Sequence, residues 1–165
     1  MPEAAAPPFL LRDPRVGDLG QIIRRQGELY AQEHGWDLTF EALVAEIAGS
    51  FVQKMDPERE RFFVAERHGE VVGSVFVMRV SDREAKLRIL YVDPSARGLG
   101  LGRALVDAVI GFAREKGYAV LTLWTNDILH AARRIYEERG FRLVREERHH
   151  SFGKDLVGQF WELEL

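Results

Sequence analysis

The sequence contains no cysteine, which removes disulfide scaffolds, thiolate catalysis and cysteine-ligated zinc together. It has no uninterrupted apolar run of the length a membrane span needs, and its opening residues, MPEAAAPPF, lack the basic start and apolar core of a signal peptide. These absences predict a cytoplasmic chain with no membrane partner. Surplus basic charge is missing too. A formal net charge of −3 argues against direct nucleic-acid binding, because phosphate recognition leaves a basic footprint. What is present is the composition of a globular protein, 46% hydrophobic and 30% charged over 165 residues, enough for one domain with one substantial core. This reading places a flexible tail at 1–8 and a single domain at 9–165, and it leaves the oligomeric state open, a homodimer included.

Residues Phe9 to Arg12 read as a short strand, after which Val16, Leu19, Ile22, Ile23, Leu29 and Tyr30 recur at helical spacing until Gly35. Thr39 is the expected N-cap of a second helix with Phe40, Leu43, Val44, Ile47 and Phe51 on its apolar face. The period then shortens. RFFVAER and VVGSVFVMRV read as strands joined through His68-Gly69-Glu70, and AKLRILYV, residues 85–92, is a strand stopped by Asp93-Pro94. A helix to about Lys116, the buried strand AVLTLWT, a helix from about Asp127 to Arg139 and a final hairpin around a loop containing HHSFGKDL complete the order. Strand, helix and strand near 87–125 form a parallel crossover, so the fold class is α/β with a mixed sheet.

Gly98, Gly100 and Gly102 stand where that crossover helix begins, flanked by Arg97 and Arg103. A G-x-G-x-x-G fingerprint fails because position 103 is arginine, and a Walker A loop fails because no G-K-[S/T] follows. The context is still strand, glycine-rich turn and helix N-terminus, where exposed amides favour an anion such as a pyrophosphate. The competing reading is a tight β-to-α turn without a ligand, which accounts for one glycine better than for three.

At this point the chain resembles the GCN5-related N-acetyltransferases (GNAT), whose acetyl-CoA signature is Arg or Gln, two residues, Gly, one residue, then Gly or Ala. Arg97-Gly98-Leu99-Gly100-Leu101-Gly102 matches it, and Ala132, Tyr136, Gly140 and Phe141 reproduce the family's A-x-x-x-Y-x-x-x-G-F run. The resemblance implies the GNAT fold: a central, mostly antiparallel twisted sheet with one parallel β-α-β crossover at the acetyl-CoA site and helices on both faces. LYAQEHGWD, LTLWTNDILHAARRIYEERGF and HHSFGKDLVGQFWEL are further similar to the acetyltransferase half of bacterial fusions with a MarR-type regulator, although no such DNA-binding domain is present in this sequence.

The resemblance implies acetyl-CoA as cofactor. Backbone groups of Leu90, Tyr91 and Val92 would meet the pantetheine arm, and the amides from Gly98 through Leu99, Gly100, Leu101 and Gly102 to Arg103 the pyrophosphate, with Arg97 or Arg103 adding charge. Gly100 and Gly102 would allow close approach. Tyr136 takes the position of the family's general acid, beside Ala132; the plain alternative is a core aromatic. Where many relatives place a cofactor-contacting asparagine this chain has Leu129, with Asn126 and His130 as nearby substitutes. For a general base the strand before the glycines offers Glu84, preferred over Lys86, which cannot accept a proton while charged; an amine losing its proton to water needs neither. Tyr30, His34, Trp36, Trp124, His149 and His150 are the candidates for the acceptor pocket. No metal site is expected, since adjacent histidines on a strand point to opposite faces. The reading is therefore an N-acetyltransferase acting by direct attack in a ternary complex on a small-molecule amine or amino-acid-like acceptor. The competing class is an acetyl-CoA- or ligand-binding sensor module attached to a transcriptional regulator.

Overall fold

Val71 to Val77 are buried without a break, the pattern of a strand covered on both faces rather than one. That strand, β3 (Glu70–Arg79), sits near the middle of a seven-stranded sheet in a computed structural model that describes residues 7–165. Of the tail expected at 1–8, residues 1–6 lie outside the described residues. The remaining elements are β1 (Leu10–Arg12), α1 (Asp18–His34), α2 (Leu38–Lys54), β2 (Arg61–Arg67), β4 (Glu84–Val92), α3 (Leu101–Glu115), β5 (Val120–Asn126), α4 (His130–Glu138), β6 (Arg142–Ser151) and β7 (Lys154–Glu164). The strand order is β1-β2-β3-β4-β5-β7-β6, and only β4 and β5 run parallel. The sheet is mixed and carries helices on both faces, as expected.

Those two layers follow from the alternation along each strand. Phe63, Val75, Val77, Leu87 and Leu121 face α3 and α4 and pack on Leu101, Leu105, Val106 and Val109, while Phe62, Val64, Phe76 and Tyr91 face α1 and α2 and pack on Ile22, Leu29, Ala48 and Phe51. Burial of such side chains contributes roughly 1.5–3 kcal/mol each.

Three boundaries differ from the sequence expectation. Asp37, not Thr39, caps α2, because its carboxylate accepts from the Thr39 amide at 2.9 Å and suits the positive end of the helix. Helix α4 starts at His130, not near Asp127, since the Asp127 amide is taken by the Val157 carbonyl of β7 at 2.9 Å. The expected HHSFGKDL loop is almost all strand. Its turn is only Phe152-Gly153, with φ of +58° and +78°, the primed geometry that continues the twist of a hairpin.

Strand β4 carries the feature that opens the site. Ile89 has φ +53°, and the register with β3 slips between Phe76↔Arg88 and Ser74↔Tyr91, so the strand bends there. Pairing with β5 covers only Glu84 to Lys86 against Val120 to Thr122. Beyond Lys86 the two strands part.

The end of β4 is held by Asp93. Burial opposes its charge, but hydrogen bonds from the Tyr91 hydroxyl (2.6 Å), from Ser95 and from the Arg25 guanidinium of α1 outweigh that and hold the carboxyl at about 2. The folded value lies below the ordinary one, so its stabilisation is complete above about pH 4 and is lost as pH falls towards about 2. Asp93→Asn should therefore cost on the order of 2 kcal/mol at neutral pH. Denaturant titrations should show the gap to wild type closing as pH falls from about 4; a gap independent of pH would assign the loss to altered hydrogen bonding instead.

Candidate active site

Where β4 and β5 part, a cavity of about 160 Å³ lies between the sheet, α1, α2 and α4. Leu90 from β4, Trp124 and Asn126 from β5, Ala132 and Tyr136 from α4, and Tyr30 and Trp36 from the α1–α2 region all line it. Cofactor and acceptor candidates far apart in sequence thus meet at one place.

Tyr136 is 3% exposed, held between Phe141 and Trp161 with ring centroids 5.6 and 6.5 Å away. Its hydroxyl makes no hydrogen bond among the described residues, although the residue lines the cavity. Burial, with a smaller contribution from Tyr30, pushes its pKa up, so the proton stays on oxygen across the physiological range. Burial likewise pushes Tyr30 up, to about 12.

The glycine turn divides its work differently from the sequence expectation. Gly98 and Gly100 have φ of +80° and +77°, a conformation that side chains rarely adopt, and a Cβ on either would meet nothing within 4 Å. A Cβ on Gly102 would come within 2.8 Å of Ile135 Cδ1. Gly102 therefore lets α3 and α4 pack closely; open space for a ligand lies over Gly98 and Gly100. The N-cap of α3, Gly100, offers no side chain, and the amides from Gly98 to Arg103 donate to no acceptor among the described residues. A run of free amides at a helix N-terminus fits the pyrophosphate of a coenzyme A thioester. The β4 segment Leu90–Val92, paired with β3 but past the end of its ladder with β5, leaves an edge that fits an extended amide-bearing arm. Arg97 pairs with Glu33, and Arg103 donates to Glu138 at 2.9 and 3.0 Å. These exposed pairs are weak, so either guanidinium can exchange its carboxylate for phosphate.

On the acceptor side Tyr30, Trp36, Phe40 and Phe152 form an aromatic wall, with Tyr30 stacked on Trp36 at 5.0 Å and Phe152 at 4.9 Å from Trp36. This packing is what holds Phe152 at positive φ. His34 touches Tyr30 and Trp36 from behind and does not line the cavity. His149 stands behind Asn126, its Nε2 2.8 Å from Oδ1 and its Nδ1 2.9 Å from Ser151. It positions Asn126 rather than lining the wall. His150 is exposed beside Asp155 on the other side of the strand, away from this cavity.

Glu84 is also not brought to the cavity. It lies at the parallel-paired start of β4, accepting from the Thr122 hydroxyl at 3.3 Å, about 20 Å along the strand from Leu90 at roughly 3.3 Å per residue. Lys86 does line the cavity, as do Gln26, Arg88 and Leu129. Gln26 and Arg88 escaped the sequence reading. The signal for Arg88 was the alternation of Glu84, Lys86 and Arg88 with the buried Ala85 and Leu87 along the first half of β4.

The Acetyltransferase (GNAT) family model matches residues 23–141. An uncharacterized N-acetyltransferase of Schizosaccharomyces pombe is 34% identical over 114 residues, 68% of this chain and 70% of its own length. N-acetylaspartate synthetase of Danio rerio is 38% identical over 106 residues, 64% of this chain but only 38% of the relative. Among solved structures, ribosomal-protein-alanine N-acetyltransferase from Brucella melitensis superposes with a TM-score of 0.76 at 25% identity, covering 94% of this chain and 99% of the other. A Salmonella typhimurium structure solved with its cofactor acetyl-CoA shares the fold, with a TM-score of 0.76 at 21% identity over 96% of this chain and 94% of the other. The Schizosaccharomyces pombe relative carries an N-acetyltransferase name, so the sensing alternative gains nothing from it. No helix among the described residues is long and apolar enough to cross a membrane.

Proposed function

The chain belongs to the acetyltransferase (GNAT) family, a family of acyltransferases that use acetyl-CoA, and from that premise we propose that it moves the acetyl group directly onto the amine of a small-molecule or amino-acid-like acceptor. The observation that carries this is the Tyr136 hydroxyl, buried and without a hydrogen-bond partner among the described residues, in the same cavity that borders the unpaired edge of β4; burial raises its pKa and so favours the protonated form. We propose residues 9–165 as one acetyltransferase unit. The likeness to MarR-type fusions stays a proposal resting on its residue runs alone.

Bound acetyl-CoA would supply an activated acyl carbon for the amine, with the thiolate of coenzyme A as the leaving group. Leu90 to Val92 and the amides of Gly98 to Arg103 would bind and orient it. Tyr136 holds the proton that sulfur needs, at its hydroxyl oxygen, and solvent returns one to the phenolate. Asn126, braced by His149, offers a fixed polar group on the wall facing the acceptor. The aromatic wall of Tyr30, Trp36 and Phe152 limits water around the acceptor. Glu84 lies too far along β4 to take the amine proton, so that proton leaves to solvent. With no cysteine in the chain, direct attack needs no covalent enzyme intermediate. Release of free thiol when the purified chain meets acetyl-CoA and a panel of primary amines tests the reading. Amine-dependent release is expected; binding of acetyl-CoA without release under any amine would overturn it.

A further inference from the structure

The cavity wall carries two cations that the transfer of an acetyl group does not require. Lys86 and Arg88 sit two residues apart on β4, opposite Met78 and Phe76, and both line the cavity. Both are about half-buried, and burial works against the charge of each. Of the other partly buried arginines, Arg12 lies 2.7 Å from Asp18, Arg25 3.1 Å from Asp93 and Arg139 pairs with Asp107, while Arg59, Arg67 and Arg133 have no carboxylate and donate instead to the backbone carbonyls of Asp82, Ser95 and Asp127. Arg88 has no carboxylate oxygen within 4.0 Å among the described residues, and its one polar contact is Met78 Sδ at 4.0 Å. Lys86 feels Glu84 only at longer range. A guanidinium drawn partly out of water with neither an anion nor a carbonyl to meet it costs folding energy, which an anion bound in the cavity would offset.

Two further atoms point the same way. Trp36 Nε1 and Gln26 Oε1 are buried without a hydrogen-bond partner, in residues each 4% exposed that line the same cavity. The first is a donor only and the second an acceptor, so the cavity presents cations and an N–H to an anion beside an oxygen that suits an amine. Arg88 precedes the bulge at Ile89, whereas the free amides from Gly98 to Arg103 follow the end of the strand. These cations are therefore separate from the phosphate end.

We infer that the acceptor is an amine bearing a carboxylate, and that Arg88, assisted by Lys86 and the Trp36 N–H, binds that carboxylate and so selects α-amino acids and similar amino carboxylates over neutral amines. Gln26 and Tyr136 lie across the same cavity from it. A carboxylate held bidentately by Arg88, about 7 Å along β4 from Leu90, leaves the amine near the acyl end of the cavity. This inference rests on the acetyl-transfer reading given above.

The test uses matched pairs: a panel of α-amino acids and the corresponding carboxamides, assayed with acetyl-CoA by thiol release and titrated calorimetrically against the protein. A carboxamide has the more readily deprotonated amine, so plain nucleophilicity favours it. The expected result is the reverse, with at least one amino acid preferred over its carboxamide by tenfold or more in kcat/KM. Arg88→Gln should raise the KM of that amino acid on the order of 10- to 100-fold and erase the preference, leaving the acetyl-CoA KM and the kcat nearly unchanged. Arg88→Lys should recover part of the loss. Carboxamides turned over as well as or better than acids, or Arg88→Gln shifting both members of each pair equally, would overturn the carboxylate site while leaving acetyl transfer intact. Amino acids bound in an Arg88-dependent way without thiol release would support the carboxylate site and overturn the transfer reading. Absence of both binding and turnover across the panel would overturn the inference.

Discussion

Tyr136→Phe should lower kcat on the order of 100-fold or more, the scale of a positioned general acid, while acetyl-CoA affinity stays close to wild type. The substitution removes one oxygen and keeps the ring packed against Phe141 and Trp161. Because that oxygen has no hydrogen-bond partner among the described residues, nothing is left orphaned, and stability should change by less than about 0.5 kcal/mol. Rate and stability therefore separate. Burial holds the hydroxyl above the ordinary tyrosine value, so the alkaline side of the wild-type kcat profile should show no fall from this group up to about pH 10. A folded variant whose single-turnover chemical step ran at the wild-type rate would make Tyr136 a core residue only.

Gly100→Val should weaken acetyl-CoA binding by on the order of 100-fold or more, about 2.7 kcal/mol. At φ +77° a branched side chain is strained by about 1–2 kcal/mol, but its Cβ meets no protein atom within 4 Å, so the domain should still fold. The added methyls stand in the space a phosphate oxygen must enter to reach the amides of the α3 N-terminus. Gly102→Ala is the contrasting case: its Cβ meets only the Cδ1 end of Ile135, which can turn aside, and it lies away from the open space over Gly98 and Gly100, so binding should suffer less directly. Unchanged affinity in folded Gly100→Val, measured calorimetrically, would put the phosphates elsewhere.

Much of this was legible because local and tertiary demands agreed. Arg61–Arg67 reads as a strand from its apolar run and is one; α1 stops at Gly35, which has the left-handed conformation its residue type invites. The parallel crossover followed from a strand, a helix and a strand of the right lengths. The misses have a common cause in contacts distant in sequence. Phe152 takes a turn conformation unusual for its residue type because Trp36 and Phe40 hold its ring. A glycine needed for dihedral angle and one needed for packing look alike in sequence, which is why Gly100 and Gly102 were grouped. Glu84 looked near the site because it shares a strand with Leu90; the length of β4 keeps them apart. That Arg88 lacks a carboxylate is a fact about every neighbour at once, and no window of sequence contains it.

The claim underlying all of this is that acetyl passes straight from coenzyme to amine within one cavity. Initial rates measured with acetyl-CoA and an accepted amine both varied decide it most directly. Double-reciprocal lines that intersect are predicted, because direct transfer would require both substrates in the cleft between β4 and β5 together; parallel lines, with free thiol released before the amine arrives, would contradict direct transfer.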